Sequence, residues 1–258
     1  MRKKVGLALG AGSTKGFAHI GVLQVLEENG VPVDMVAGSS IGAIVGAIYA
    51  VGSDLYLLGK YLASFNIRSY LDLKSPLSGG LIKGERLREL IRIFTHDKTF
   101  AETKVPFCCV AVDAEAARLE VLESGFLHDA VRASMSIPAI FEPARLEGKT
   151  YIDGGVIERV PAKALRDRGM DEVIGVDVGY HGGERDVTGM NAYQLMNDTI
   201  NIMQWEMFRY RQEETDLLLT PEVLYVTGHF QMDRVADCVT EGRRVATEAL
   251  PAIHKLIQ

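Results

Sequence analysis

The sequence predicts an α/β fold in which helices cover a mainly parallel sheet. Over residues 5–51, short apolar runs alternate with segments of helical spacing, a pattern that predicts strand, helix, strand, helix. Glycine is concentrated near the start, where ten of the 26 glycines lie in the first 52 residues. The 258 residues, 47% hydrophobic and 24% charged, are typical of a folded domain with a sizeable core.

Two strand–turn–helix units open the chain. Residues 5–9 are continuously apolar and predict a buried strand, residues 10–16 form a glycine-rich turn, and residues 17–29 show helical spacing that Gly30 ends. The second unit consists of a strand at 33–37, a tight turn at 38–42 and a helix of small residues at 43–51. Short crossovers of this kind make neighbouring strands parallel.

The remaining elements are predicted from the same two patterns, apolar runs for strands and helical spacing of apolar residues for helices. A loop is expected at 74–83, and residues 114–118 are expected to join two strands as a hairpin. There is no internal repeat or linker, so one domain is the simplest organisation. Further helices are predicted at 54–65, 84–94, 127–134, 161–168, 190–212 and 235–257, and further strands at 105–112, 119–122, 150–152, 173–178 and 217–220.

Charge and composition narrow the partners and the compartment. The chain has 28 basic and 34 acidic residues, and this net charge of −6 disfavours a broad nucleic-acid-binding face. The apolar stretch at 5–9 is too short for a signal peptide, and residues 35–52 are too polar to span a membrane, so the cytoplasm is expected. The cysteines fit neither a disulfide framework nor a zinc site and are expected to be buried, inert thiols: Cys108, Cys109 and Cys238.

Residues 38–42 (GSSIG) form a G-x-S-x-G pentapeptide between a predicted strand and a predicted helix. This is the context of a nucleophile elbow, in which the serine hydroxyl projects at a helix N-terminus. Gly38 and Gly42 would permit the sharp turn and the close packing of strand and helix. The pattern favours Ser40 as a nucleophile, and the alternative is that Ser39 or Ser40 only caps the helix.

The order of the chain disfavours a histidine as the base for this serine. An α/β-hydrolase places several strands before its serine, whereas only one strand–helix unit precedes Ser40. Among the later histidines, only His181 follows a predicted strand. Asp153 follows the strand at 150–152 and precedes Gly154 and Gly155, which would let it meet the elbow at the sheet edge. As a direct base it would need a pKa raised by burial, and the alternative is an ordinary Asp-Gly turn.

The turn at 10–16 (GAGSTKG) suits an oxyanion hole, because a glycine-rich strand-to-helix turn can aim backbone N–H groups at a developing negative charge. A dinucleotide-binding turn fits less well. Gly10, Gly12 and Gly16 give a spacing one residue longer than the tight form, and Asp34 precedes the second strand instead of ending it.

Together, the motifs at 10–16, 38–42 and 153–155 resemble the patatin-like phospholipase family. Supporting matches lie at 17–23 (FAHIGVL), 133–143 (ASMSIPAIFEP) and 152–156 (IDGGV), and the resemblance covers about residues 5–178. It implies a three-layer α/β/α sandwich with a mainly parallel central sheet in a single domain over 1–258, completed by residues 179–258. It also implies hydrolysis of lipid acyl esters by a Ser–Asp dyad. No residue pattern in the sequence indicates a cofactor or a metal.

The resemblance assigns roles to individual residues. It implies that Ser40 is the nucleophile, that Asp153 is the general base and that the first glycine turn supplies the oxyanion hole. Because this turn is one residue longer than in plant members, the donors stay open, and Lys15 is expected to orient or neutralise a polar group nearby. The hole is expected among Gly10, Gly12, Ser13, Thr14 and Lys15, and the structural positions of the motifs are Gly16, Gly38, Gly42, Gly154 and Gly155.

Several side chains are expected around this site. His19 is expected to pack or hydrogen-bond behind the glycine turn, and Ser134 and Ser136 are expected to shape a loop beside the dyad. The apolar segment at 65–82 suits core, with a lid or acyl-binding region as the alternative. Helical core is also the favoured interpretation, with a groove or membrane contact as the alternative, for Met196, Met203, Trp205, Met207 and Phe208.

A lipid acyl hydrolase is the favoured function, acting on a lipid or other acyl ester. An acyltransferase with the same dyad, and a nucleotide-binding or catalytically silent interaction protein, remain as alternatives. Membrane contact is expected to be peripheral and to depend on a local apolar patch, because an acidic protein gains little from an anionic bilayer. Acyl-chain length, head group and oligomeric state are left open.

Overall fold

A mainly parallel sheet lies at the centre of the chain, of which the structure, a computed structural model, describes residues 2–64, 67–73, 80–184, 187–226 and 230–258. The strands are β1 (Val5–Leu9), β2 (Met35–Ser39), β3 (Gly80–Ile82), β4 (Phe107–Asp113), β5 (Arg118–Leu122), β6 (Ala139–Phe141), β7 (Ala144–Leu146), β8 (Lys149–Asp153), β9 (Glu172–Val176) and β10 (Leu217–Leu219). The main sheet has the order β10–β9–β1–β2–β4–β8–β7, β5 also pairs with β4, and β3 pairs with β6 separately. The pairs from β10 to β4 are parallel, and those of β5, β7 and β8 are antiparallel.

Helices cover both faces of this sheet. They are α1 (Ala18–Glu28), α2 (Ile41–Ala50), α3 (Leu55–Ala63), α4 (Glu85–Phe94), α5 (Leu127–Ser134), α6 (Ala162–Arg166), α7 (Ala192–Arg209) and α8 (Val235–Leu256). Because side chains alternate along a strand, β1 contributes to two cores. Leu7 and Leu9 belong to the core that contains α1, α2 and α8, whereas Ala8 packs with Leu165 of α6 and Phe208 of α7. The expected three-layer α/β/α architecture is therefore confirmed.

The pairing on β4 brings the ends of strands β2 and β8 together. Strands β2 and β5 both pair with Cys109 and Val110, so they lie on opposite edges of β4, and the same argument separates β5 from β8. Strands β2 and β8 therefore share one edge. They run towards each other along it, because β2 is parallel to β4 and β8 is antiparallel. Ser39 ends β2 opposite Val110, and Asp153 ends β8 opposite Ala111, the next position.

Most predicted elements lie within three residues of the observed ones. The prediction missed β3, β6 and β7, because a strand of three residues has too short a pattern to be recognised and is defined by its distant partner. The second strand lies two residues later than predicted, since its register on β1 pairs Gly6 with Met35. Residues 65–66 and 74–79 of the apolar segment lie outside the described residues.

The cysteine prediction is confirmed, since Cys108, Cys109 and Cys238 are buried free thiols. Burial raises the pKa of each thiol and leaves it protonated. None of the helices in the described ranges combines the length and the apolarity that a bilayer crossing needs.

Candidate active site

The turn between β2 and α2 holds Ser40 in a left-handed backbone conformation, with φ 54° and ψ −119°. Two close approaches explain the flanking glycines: a Cβ on Gly42 would lie 2.1 Å from the carbonyl oxygen of Leu9, and one on Gly38 would lie 2.5 Å from the Cα of Ala43. Ser39 donates its hydroxyl to the carbonyl oxygen of Glu158 at 3.0 Å. The alternative that these serines only cap the helix is wrong, because no side chain caps the N-terminus of α2.

Ser40 and Asp153 are in direct contact. The Oγ of Ser40 donates to Oδ2 of Asp153 at 2.5 Å, and the N–H of Gly155 donates to Oδ1 at 2.7 Å. Both side chains are buried. Burial raises the pKa of Asp153 to about 7, although the hydrogen bonds from Ser40 and Gly155 favour its charged form. The sequence predicted this pairing, and the raised pKa suits a carboxyl that must accept a proton near neutral pH.

Four of the described histidines contact residues other than this pair. His19 Nε2 lies 2.8 Å from the carbonyl oxygen of Gly10 and donates to it, as expected of a residue behind the glycine turn. His96 contacts Ser53, and His128 lies beside Asp129 and Arg88. His181 packs edge-on against Trp205, with Nδ1 3.5 Å from Asp177. His229 lies outside the described residues.

The first glycine turn runs beside the dyad, and backbone hydrogen bonds hold its first two residues. The N–H of Gly10 donates to Val176 and the N–H of Ala11 donates to Arg159, both at 2.9 Å to the carbonyl oxygen. These two groups are occupied, so Gly10 is excluded as a donor to an oxyanion and the candidates begin at Gly12. A Cβ on Gly12 would lie 2.5 Å from Val178, which explains the glycine there by close packing.

The other motif glycines also sit where a side chain would collide. A Cβ on Gly16 would lie 2.1 Å from Ile41, and one on Gly154 would lie 2.2 Å from the carbonyl oxygen of Val110 on β4. A Cβ on Gly155 would meet Ala11 at 2.8 Å. Gly155 therefore brings the chain after Asp153 into contact with the first glycine turn.

Two cavities of different character meet at Ser40. Ser13 and Ser40 line both of them. The first is almost entirely apolar and follows α2, with Ile41, Ile44, Val45 and Ile48 along its wall. The second has polar and apolar walls in similar proportion, and we call it the polar cavity for the polar residues that line it: Lys15, Asp153 and, from α7, Asn197, Asp198, Asn201 and Gln204. An amphipathic molecule could therefore place its apolar part in one cavity and its polar part in the other.

Sequence reasoning missed two supports of the site. The N–H of Ser40 donates to Oγ of Ser134 at 3.0 Å, although the sequence suggested only that Ser134 shapes a nearby loop. A buried ion pair joins Arg159 to Asp177, with the Arg159 guanidinium 5.4 Å from the ring centroid of Trp205. Both involve partners far apart in the chain, so no local pattern marks them.

Lys15, helix α7 and the apolar segment at 65–82 were expected to lie near the site or in the core. Lys15 lines the polar cavity, where it could meet a polar group of a ligand. Phe208 is buried as expected, but Met196 and Met203 are exposed, so the expectation that they form helical core is wrong. The reason is that α7 turns polar residues towards the cavity. Ile67, from the apolar segment at 65–82, lines the apolar cavity, whereas Leu73 is exposed.

A family model described as "Patatin-like phospholipase" matches residues 7–166. An NTE family protein of Mycobacterium bovis is 32% identical over 177 residues, which cover 68% of this chain and 49% of the relative. The lysophospholipase NTE1 of Pyricularia oryzae is 35% identical over 188 residues, covering 69% of this chain and 12% of the relative. The chain thus matches half or less of the length of these relatives.

Two solved structures share the fold at low sequence identity. VipD from Legionella pneumophila superimposes with a TM-score of 0.66 at 15% identity, over 97% of this chain and 67% of that one. The type III effector protein ExoU of Pseudomonas aeruginosa superimposes with a TM-score of 0.52 at 14% identity, over 97% and 53% of the two chains. These likenesses extend over the C-terminal part of the chain, beyond the residues that the family model matches.

Proposed function

This chain belongs to the patatin-like phospholipase family, and on that premise we propose that it hydrolyses the carboxylic esters of lipids, with Ser40 as nucleophile and Asp153 as general base. One observation carries the proposal: the hydroxyl of Ser40 lies 2.5 Å from a buried carboxyl whose pKa is raised to about 7. A carboxylate with a pKa near the working pH is a useful base for a serine.

The first half of the reaction forms an acyl-enzyme. Ser40 Oγ attacks the ester carbonyl carbon and gives its proton to Asp153, and the carbonyl oxygen becomes negatively charged. Backbone N–H groups of the first glycine turn, from Gly12 onward, stabilise that oxyanion. The tetrahedral intermediate then expels the alcohol, which takes the proton from Asp153.

The second half restores the enzyme. Water enters the polar cavity, Asp153 accepts its proton, and the hydroxide adds to the acyl carbon. Collapse of this second intermediate releases the fatty acid, and Ser40 recovers its proton from Asp153. Every proton that Asp153 accepts is returned in the next step, so the dyad needs no further group.

The two cavities orient the substrate. The apolar cavity along α2 takes a single acyl chain, and the polar cavity takes the alcohol part with its head group. The polar cavity contains both signs of charge, with Lys15, Glu184 and Asp198 among its lining residues. A lipid with one acyl chain and a zwitterionic head group suits this pair of cavities, and a relative is named a lysophospholipase.

The experiment combines covalent labelling with ester hydrolysis. Wild-type protein should react with a fluorophosphonate at Ser40, located by peptide mass spectrometry, and should release fatty acid from lysophosphatidylcholine. Ser40→Ala and Asp153→Asn should each lower kcat by about a thousandfold or more, the scale on which dyad and triad members act.

A matched control and a product analysis complete the test. Ser39→Ala removes a neighbouring hydroxyl that donates to Glu158, and it should retain labelling. Full activity in a folded Ser40→Ala or Asp153→Asn protein would disprove the assignment. Acyl transfer to an added alcohol, in preference to water, would make the protein an acyltransferase.

The proposed location is the cytoplasm, with peripheral contact at the membrane surface. Three buried free thiols fit a reducing compartment, and a lipid substrate requires access to a bilayer or a micelle.

A further inference from the structure

Along its first three turns, helix α7 turns polar residues inward and exposes apolar ones. A surface helix normally buries an apolar stripe and exposes its polar residues. Here Asp198 is buried, and Asn201 and Gln204 line the polar cavity that reaches Ser40. The outward face is exposed and mostly apolar, with one polar residue, Thr199, among Leu195, Met196, Ile202 and Met203.

A second segment adds to this surface. Leu224 and Tyr225 are also exposed, and Leu224 lines the same polar cavity. We call the six exposed apolar side chains on α7 and at 224–225 the apolar rim. Two separate parts of the chain therefore place large apolar groups in water at the border of one cavity, where each costs hydrophobic free energy unless something covers it.

The described part of the rim has no excess of positive charge. On α7, Arg209 is paired with Glu206 at 2.9 Å, and Glu222 lies two residues before Leu224. The whole chain has a net charge of −6. Attraction to anionic lipid depends on clustered Lys and Arg, so any lipid contact here must come from apolar burial.

We propose that the apolar rim docks on a bilayer of zwitterionic lipid, with the mouth of the polar cavity facing the lipid. The proposal rests on the proposed function, because the apolar cavity at Ser40 requires an acyl chain and acyl chains are supplied by bilayers. A second copy or another protein seated on the rim would cover the entrance through which substrate arrives. A bilayer instead covers the rim and supplies the substrate.

Vesicle binding tests the surface directly. Ser40→Ala protein, used so that lipid is not consumed, should sediment with phosphatidylcholine vesicles. The double variant Ile202→Glu/Met203→Glu in this background should reduce the partition coefficient by about tenfold or more, because two charges then enter the interface. Replacing a third of the lipid with phosphatidylglycerol should not tighten binding.

The matched control is Leu57→Glu/Ile93→Glu, which makes the same change in charge at two exposed apolar side chains on α3 and α4. It should bind like the parent protein. An equal loss in both double variants would overturn the proposal, since it would show that no particular surface is used. So would a wild-type dimer that the α7 variant converts to a monomer, as measured by light scattering.

A second measurement reports on orientation. Trp205, the only tryptophan of the sequence, lies on α7. Its ring packs on the inner side of the helix, against the Arg159 guanidinium and His181, so brominated phosphatidylcholine should leave its fluorescence largely unquenched while the vesicles bind. Strong quenching on binding would place the inner side of α7 in the lipid and overturn the proposal.

Hydrolysis of a soluble ester separates this proposal from the proposed function. For this assay the Ile202→Glu/Met203→Glu variant keeps the native Ser40. It should hydrolyse p-nitrophenyl butyrate within about twofold of wild type, because Ile202 and Met203 do not line either cavity. If the wild type cleaves p-nitrophenyl butyrate but does not bind vesicles, only the docking proposal is overturned. A wild type that binds vesicles through α7 but cleaves no ester would overturn the function alone.

Discussion

The backbone of Ser40 adopts a conformation that costs a non-glycine residue about 1–3 kcal/mol, so the surrounding structure has to hold it. Two contacts do so: its N–H donates to Ser134, and its hydroxyl donates to Asp153. The bond to Ser134 also occupies the N–H of Ser40. The oxyanion donors must therefore come from elsewhere, which agrees with a hole at the first glycine turn.

The bond from Ser40 to Ser134 leads to a prediction. Ser134→Ala leaves a buried N–H without its partner and releases the constraint on the elbow, so kcat should fall by about tenfold with little change in KM. The rate of fluorophosphonate labelling should fall in parallel, because it reports the position of the Ser40 hydroxyl.

Ser136→Ala provides the matched control for this position. Ser136 is also buried, but its hydroxyl contacts Arg132 instead of the elbow. It should lose stability without losing labelling at temperatures where it is folded. A folded Ser134→Ala protein that labels at the wild-type rate would show that Ser134 does not position Ser40.

At the scale of elements, the sequence predicted the two turns and their meeting, but not the strand edge that brings them together. G-x-S-x-G and D-G-G are local patterns, each set by a close approach of backbone to backbone, and they are visible in a few residues. The shared edge of β4 that aims β2 and β8 at each other depends on pairings between residues 38 to 71 positions apart in the chain. Local periodicity carries no information on such pairings.

The direction of α2 leads to a prediction about chain length. The helix begins next to Ser40 and runs away from it, and the apolar cavity follows it from Ile41 to Ile48. A rise of about 1.5 Å per residue makes this path about 10 Å, enough for about eight carbons of an extended chain. Ile48→Phe narrows the far end, so it should lower kcat/KM for p-nitrophenyl palmitate by about tenfold and leave the butyrate within about twofold.

Ile48→Val is the control for this change, because it keeps the branched shape and removes one methylene. It should not discriminate against the longer ester. An equal loss for butyrate and palmitate in Ile48→Phe would argue that the acyl chain does not reach this part of α2.

For the whole molecule, the reversed faces of α7 show where sequence reasoning stops. Its spacing predicted a helix, and the usual rule placed Met196 and Met203 inside. The rule fails because the inner side of the first three turns borders a polar cavity, not the core, and only farther along does Phe208 pack against the sheet. The layers were predictable from periodicity, but the position of the cavity between them was not.

The buried carboxyl of Asp153 makes both the stability and the activity of the whole molecule depend on pH. Burial raises the pKa of Asp153 from 3.8 to about 7, so the folded state binds this proton more tightly than the unfolded state. Its contribution to stability is full below about pH 4 and is lost as the pH rises to about 7. Activity should change in the opposite direction, because only the carboxylate accepts the proton of Ser40, so kcat/KM should rise with a midpoint near pH 7.

Asp153→Asn tests this opposition, because asparagine does not titrate. Between pH 5 and pH 8 the free energy of unfolding of wild type should fall relative to that of Asp153→Asn by an amount on the order of a few kcal/mol, measured by urea denaturation. Glu158→Gln is the matched control: burial raises the pKa of Glu158 to about 7 as well, but its side chain contacts Arg211 instead of Ser40. It should change the pH dependence of stability and keep the midpoint of activity, whereas a midpoint that moves in Glu158→Gln would assign the activity titration to Glu158 instead of Asp153.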